Sequence, residues 1–175
     1  QSSGIFLPGN HDCDPIVVKQ PSSLAERDPR FSWFDHHVQI KNSLFFHGDI
    51  LDGGGSLERL EIYRRKFHHV EPQSQFSHRS YDLAVAMRFH KLIPKIRHIP
   101  HRTCGQILKM IECFDSVNSS SVKNIYFGHT HVPINGIEVG GIRFFNPGAA
   151  LRHMNPRLHQ FQLNENIAVG VDAHD

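Results

Sequence analysis

The chain has 175 residues, of which 39% are hydrophobic and 21% are charged, so its length and composition fit one globular domain with a sizeable core. The formal net charge is only +2 and no aromatic–basic motif of a nucleic-acid-binding module occurs, which excludes nucleic acid as the main partner. No apolar run approaches the roughly 18 residues of a transmembrane helix. The three cysteines form no C-x-x-C pair, so we expect a cytoplasmic protein in a reducing compartment.

The first predicted strand covers residues 4–7 and leads into the motif Gly9-Asn10-His11-Asp12. Residues 13–30 contain three prolines and are predicted to form a loop, with at most a short helix around residues 16–19. A strand that ends in Asn, His and Asp side chains brings polar groups to the edge of a sheet.

A hairpin is predicted next. Residues 38–40 alternate as a half-exposed strand does, and residues 43–46 form a short apolar run beyond the turn Lys41-Asn42. The second of these strands leads directly into His47-Gly48-Asp49. The chain thus repeats the pattern of an apolar strand followed by a small polar cluster.

Residues 56–119 change to a helical pattern, with Ser56 as N-cap and apolar residues spaced three and four apart. The clearest stripe is formed by Cys104, Ile107, Leu108, Ile111 and Phe114. Basic residues are frequent in this block. Arginine donates two parallel hydrogen bonds to a phosphate, so Arg64 and Arg88 are candidates for substrate binding, with a solvated helix face as the alternative explanation.

A third polar cluster follows the apolar strand predicted for residues 123–127, where Gly128-His129-Thr130-His131 begins. Successive side chains of an extended segment point to opposite faces, so His129 and His131 are expected to share one face. Two imidazoles at the end of a strand are a ready pair of metal ligands.

A second hairpin is predicted around Gly140-Gly141, and the turn Asn146-Pro147-Gly148 follows it. A last hairpin is predicted from residues 158–163 and 167–171. The order of strands and helices predicts an α/β domain. Strand ends that share one edge of such a sheet are where sites are assembled. We therefore expect Asn10, His47 and the two histidines of the third cluster to converge within a few ångströms.

The three clusters resemble the motifs of the calcineurin-like metallophosphoesterases, in which Gly-Asn-His-Asp, a His beside Gly, and Gly-His-x-His occur in this order. The resemblance implies a four-layer αββα sandwich, of which residues 1–175 form the C-terminal portion as a single domain. The opening motifs of the family, Asp-x-His and Gly-Asp-x-x-Asp, have no room in the eight residues before Gly9. Gly48-Asp49-Ile50-Leu51-Asp52 spells the second of them but follows the first cluster, so we interpret that match as coincidence.

The resemblance also implies a centre with two divalent metal ions. One ion would be ligated by Asn10, His47 and His129, and the other by His131. Mixed imidazole, amide and carboxylate ligands suit Mn²⁺, Fe²⁺ or Zn²⁺ better than Ca²⁺ or Mg²⁺, and Mn²⁺ is the expected ion. Because the missing motifs would complete the second site, the chain alone is expected to be a poor two-metal catalyst.

Catalytic roles are implied for two further residues. His11 would protonate the leaving oxygen or stabilise charge in the transition state, and Asp12 would fix the loop or orient His11. Asp49 is expected to have a structural or supporting role. The implied reaction is hydrolysis of a phosphomonoester, phosphodiester or pyrophosphate bond by a hydroxide that bridges the two metals.

The 81 residues between His47 and His129 leave space for a helical cap formed by residues 56–119. Such a cap resembles the branch of the UDP-2,3-diacylglucosamine hydrolases, although that branch often has Arg where His11 stands. The expected substrate is a phosphorylated small molecule or a nucleotide-linked compound, and a lipid substrate would bring the protein to a membrane surface. The alternative function is a catalytically silent metal-binding or interaction module of the same fold. An uncovered sheet edge predicts self-association in either case.

Overall fold

The computed structural model of the protein describes residues 3–68, 98–114 and 116–149. These residues form a mixed α/β fold that contains three α-helices, one sheet of two strands and one sheet of five strands. The predicted α/β class is confirmed at this level. The four-layer sandwich, the single-domain organisation and self-association stay predictions.

The N-terminal segment forms the smaller sheet. Strand β1 (Gly4–Phe6) pairs in parallel with β2 (Phe31–Trp33), and helix α1 (Pro15–Arg27) connects them. A parallel pair requires such a crossover, because the chain must return to the starting end of the sheet.

Helix α1 shows that the loop predicted for residues 13–30 was wrong. The helix continues to Arg27 through Pro21, although an interior proline removes one backbone hydrogen bond. At its start the Ile16 N–H donates to Asp14 Oδ1 at 2.8 Å, and Pro15 occupies the first turn, where proline is well tolerated. The favourable N-terminus of the helix thus offsets part of the free-energy cost of the interior proline. No residue of α1 is buried.

The larger sheet has the strand order β3-β4-β5-β7-β6. Its strands are β3 (His37–Ile40), β4 (Ser43–Phe46), β5 (Asn124–Phe127), β6 (Ile134–Val139) and β7 (Ile142–Asn146). Strands β3 and β4 pair antiparallel, as do β6 and β7, so the hairpins predicted at Lys41-Asn42 and Gly140-Gly141 are confirmed. The hairpin predicted for residues 158–171 lies outside the described residues. Strands β4, β5 and β7 run parallel, so their C-terminal ends meet at one edge of the sheet. We call this edge the parallel edge.

One face of the larger sheet packs against helix α3 (Pro100–Met110). Leu44 and Phe144 are fully buried on the sheet, and Cys104 and Ile107 are buried on the helix, which confirms the predicted apolar stripe. Each of the Leu, Ile and Phe side chains contributes roughly 1.5–3 kcal/mol when it is removed from water. Helix α3 lies within the segment expected to form a cap, yet its apolar face belongs to the core of the domain.

Helix α2 (Leu57–Arg65) begins at the predicted N-cap, since the Arg59 N–H donates to Ser56 Oγ at 3.3 Å. Short 3₁₀ turns cover Asp49–Leu51, Ile111–Cys113 and Ser119–Ser121. Across the described ranges, no helix combines the length and apolar character that crossing a membrane requires. Arg88 lies outside the described residues.

Candidate metal centre

Two of the three polar clusters are neighbours because their strands pair in register. Phe46 of β4 lies opposite Phe127 of β5, so the residues that follow them, His47 and Gly128, are adjacent. The Gly128 N–H donates to the His47 carbonyl at 2.8 Å. The rings of His47 and His129 lie edge to face, with their centroids 5.3 Å apart. The parallel edge therefore holds two imidazoles side by side.

The first cluster reaches the same place through a close contact between Gly9 and His47. A Cβ atom on residue 9 would lie 2.3 Å from the His47 ring, so only glycine permits this approach. The Asp12 N–H donates to the Gly9 carbonyl at 3.0 Å, and the Gly9 N–H donates to Asp12 Oδ2 at 3.2 Å. This closed turn holds Asn10 in a buried position. All three clusters therefore meet at the parallel edge.

Two side-chain atoms at this meeting point lack the hydrogen bonds that burial normally demands. Asn10 Oδ1 and His47 Nε2 are buried and have no hydrogen-bond partner among the residues described. A buried polar atom without a partner costs roughly 1–3 kcal/mol, so such atoms are rare in folded proteins. An amide oxygen and a neutral imidazole nitrogen both offer lone pairs to divalent cations. Each atom is therefore of the chemical type that the expected ligand role requires.

The electrostatics of the site keep His47 and His131 in the ligand form. Burial lowers the pKa of His47 from 6.5 to about 4; the Asp49 carboxylate opposes this effect and the nearby His129 adds to it. Burial also lowers the pKa of His131, and the neighbouring rings of His129 and His11 lower it further. Neutral imidazole is the form that binds metal, so both rings are ready to act as ligands at neutral pH.

The third cluster is a bend and not an extended strand. His129 and His131 have φ values of 63° and 58°, in the left-handed region that residues other than glycine rarely adopt. The expectation that they share a face of an extended segment was therefore wrong, because β5 ends at Phe127. His131 lies exposed at the surface, as does His11. His11 is one of the groups that lower the pKa of His131, so these two rings lie within electrostatic reach of each other.

Two side chains that the sequence alone did not single out hold this bend. His129 Nε2 lies 2.9 Å from Asp52 Oδ2, which in a neutral ring leaves the lone pair on Nδ1. Asn146, fully buried at the end of β7, donates to the Gly128 carbonyl at 2.8 Å and to Thr130 Oγ1 at 3.1 Å. The sequence contained a signal for each of these two residues. Asp52 ends the sequence interpreted as a coincidental Gly-Asp-x-x-Asp, and Asn146 opens the Asn-Pro-Gly turn.

Arg64 lies inside the protein and not at an open cleft, with only 4% of its surface exposed. Its guanidinium donates to both carboxylate oxygens of Asp49, at 2.8 and 3.2 Å. It also donates to the backbone carbonyls of Pro8 at 3.1 Å and Asp35 at 2.9 Å. These contacts occupy the guanidinium, so the expected substrate-binding role of Arg64 does not fit this geometry. Asp49 has the supporting contacts expected of it.

The candidate ligands at the centre are two imidazoles and one amide oxygen. Within residues 3–68, 98–114 and 116–149, no group of three or more His, Cys, Asp or Glu side chains is arranged to hold a metal ion. Three donors that include an amide suit a single ion with open coordination positions. Comparisons of the chain with models of protein families, with curated proteins and with solved structures find no match. The chemistry of these side chains is therefore the ground for a functional proposal.

Proposed function

We propose that the protein is a divalent-metal-dependent phosphoesterase that hydrolyses a phosphomonoester, phosphodiester or pyrophosphate bond in a phosphorylated small molecule or nucleotide-linked substrate. The observation that supports this most strongly is the pair of buried atoms, Asn10 Oδ1 and His47 Nε2, without hydrogen-bond partners in the described part of the chain. A purely structural role normally provides such atoms with partners. The resemblance of the three ordered motifs to calcineurin-like metallophosphoesterases supplies the reaction class.

Asn10, His47 and His129 are the residues that would hold an ion, and their donor types favour Mn²⁺, with Fe²⁺ and Zn²⁺ as alternatives. When bound, a divalent ion polarises a phosphoryl group and makes water a better nucleophile at neutral pH. The low pKa of His47 keeps its lone pair free at that pH. Asp52 orients the ring of His129 through their hydrogen bond. His131 is the remaining candidate ligand for a second ion.

His11 is suited to act as the general acid. It is exposed, and its ring meets that of Phe67 edge to face with centroids 5.4 Å apart, which limits its orientation. An imidazole in contact with solvent exchanges protons readily and can give one to a leaving oxygen. Asp12 closes the turn that carries His11 by accepting the Gly9 N–H. It therefore acts on the position of the loop and not on the substrate.

The second candidate function is a metal-binding module without turnover. The small number of donors favours it, because two imidazoles and one amide hold one ion, whereas phosphoesterase chemistry commonly uses two. Binding of one Mn²⁺ per chain without hydrolysis of any phosphate ester would support this alternative over the enzyme.

The test combines calorimetric titration of the whole chain with Mn²⁺ and an assay with bis-p-nitrophenyl phosphate. We expect metal-dependent hydrolysis, and a loss of Mn²⁺ affinity of at least about tenfold in His47→Gln. The matched control is His101→Gln, since His101 is an exposed histidine on α3, and it should change neither quantity. Equal affinity and equal hydrolysis in the parent and in His47→Gln would remove the proposal.

A further inference from the structure

The guanidinium of Arg64 connects segments that are distant in the sequence. From helix α2 it reaches the Asp49 carboxylate, the Pro8 carbonyl and the Asp35 carbonyl, which are 15, 56 and 29 residues away along the chain. The residue is buried, as is Asp49, at 4% and 2% exposure. The planar guanidinium, whose N–H donors point in fixed directions, thus sets the distances between three backbone segments.

Two of these segments carry candidate metal ligands. Pro8 stands two residues before Asn10, and Asp49 stands two residues after His47. The backbone of Arg64 adds a further link, because Cys13 Sγ lies 3.3 Å from the Arg64 carbonyl and 3.1 Å from the Asn10 carbonyl. The loops before Asn10 and after His47 are therefore held to each other through Arg64, in addition to their direct contact at Gly9.

A buried ion pair of this kind is poorly explained by stability alone. The cost of removing two charges from water commonly cancels their attraction, and apolar side chains of the same volume often serve a fold as well. What the pair offers instead is directional bonding, because two parallel hydrogen bonds fix both the distance and the angle between the partners. The contacts to Pro8 and Asp35 extend this fixed geometry to the backbone.

We infer that Arg64 is a positioning residue for the metal centre, which sets the placement of Asn10 relative to His47 and thereby the affinity for a divalent ion. This inference rests on the proposed function. Helix α2, which carries Arg64, is accordingly part of the framework of the site. Arg64 acts through the two loops and contacts neither ion nor substrate.

The first arm of the test measures Mn²⁺ affinity of the whole chain in Arg64→Lys. Lysine keeps the charge opposite Asp49 but has no planar fork, so it cannot donate to Asp49, Pro8 and Asp35 together. We expect affinity to fall at least about tenfold, the size typical of lost support behind a metal ligand. Arg65→Lys, at the exposed neighbouring position, should leave affinity unchanged. In Arg64→Ala, millimolar guanidinium ion should restore much of the lost affinity, and the same addition should have no such effect on Arg65→Ala.

The second arm needs no metal. Hydrogen–deuterium exchange in metal-free Arg64→Lys should accelerate about tenfold or more in residues 9–13 and 47–52, while α3 exchanges at the parent rate. Unchanged exchange in both loops with unchanged Mn²⁺ affinity would overturn the inference, as would equal acceleration in α3, which indicates a general loss of stability. A parent chain that binds no Mn²⁺ would contradict the proposed function instead, and the exchange rates would still decide the role of Arg64.

Discussion

The parallel edge of the larger sheet and helix α1 differ in how firmly they are held. At the edge, Asp49 is buried and accepts hydrogen bonds from Arg64 of helix α2, and Asn146 is buried and donates to the Gly128 carbonyl. In α1 no residue is buried, and Ile16 and Leu24 are 66% and 47% exposed. An irregular edge built from polar side chains is thus better fixed than a regular helix of 13 residues.

The difference matters for Asn10, which is close to the exposed helix α1 in the sequence but packs at the buried parallel edge. It follows β1 and precedes α1, yet it lies buried at the parallel edge. Two contacts achieve this, namely Gly9 against the ring of His47 and the Pro8 carbonyl on the guanidinium of Arg64. The candidate site therefore depends on a few contacts between the two regions. Substitutions at these contacts should have the largest effects on metal affinity.

The largest effect is expected from Gly9→Ala. Its new Cβ would lie 2.3 Å from the His47 ring, so the ring or the loop must shift, and the placement of His47 relative to Asn10 changes. We expect Mn²⁺ affinity to fall by about 100-fold or more and the free energy of unfolding to fall by about 1–3 kcal/mol. Titration calorimetry and denaturation in urea measure the two quantities.

The matched control for this change is Gly105→Ala in α3, where a Cβ would meet nothing within 4 Å. Alanine is the better helix former, so this variant should gain about 0.5–1 kcal/mol and keep its metal affinity. Equal metal affinity in the two variants would show that the contact of Gly9 with His47 does not hold the site.

The next effect is a dependence of stability on pH. The unfolded chain protonates His47 near its ordinary pKa of 6.5 and the folded chain only near 4, so between these values the unfolded state binds more protons. The free energy of unfolding of the metal-free protein should therefore fall as pH drops from 6.5 to 4, by up to about 3 kcal/mol. Urea denaturation with a chelator present measures this loss. His47→Gln should flatten the profile, and an unchanged slope in that variant would assign the effect to other groups.

A smaller loss of Mn²⁺ affinity is expected for Asp52→Asn, which removes the negative partner of His129 but keeps the size of the side chain. Mn²⁺ affinity should fall by about 10-fold, since the carboxylate behind a ligating histidine sets its tautomer and basicity. Asp28→Asn, which breaks an exposed pair with Arg30, is the control and should leave affinity unchanged. A parent-like affinity in Asp52→Asn would show that His129 does not need this contact for binding.

The smallest effect is expected on the exposed helix. Leu24→Gln in α1 changes a side chain that is 47% exposed, so the free energy of unfolding should change by no more than about 0.5 kcal/mol. Metal affinity should stay at the parent value. A large loss in either quantity would mean that α1 is held more firmly than its exposure indicates, and the contrast between the two regions would then fail.

Features that depend on local chemistry could be predicted from the sequence. The hairpins at Lys41-Asn42 and Gly140-Gly141 follow from turn residues between alternating or apolar runs, and both are present. The adjacency of His47 and Gly128 followed from their positions after two predicted strands, whereas β1, which precedes the first cluster, belongs to the separate two-stranded sheet. Helix α1 was missed because Pro21 is a strong local signal against a helix, whereas its cap at Asp14 is a weaker signal in favour.

Features that depend on distant contacts could not be predicted. The partners of Arg64 lie up to 56 residues away, and nothing in the residues around it distinguishes a buried guanidinium from a solvated one. The left-handed bend at His129 could not be predicted either, because a histidine with positive φ carries no local sequence signal. Asp52 gains its role only because the turn after His47 brings it to His129. In each case tertiary contacts overrode what the local pattern indicated.

The most direct measurement is anomalous diffraction from crystals of the whole chain soaked in Mn²⁺. We expect anomalous signal from an ion bound by Asn10 Oδ1, His47 Nε2 and the ring of His129. Crystals that show no ion at the parallel edge under saturating Mn²⁺, or that bind it only elsewhere, would contradict this expectation.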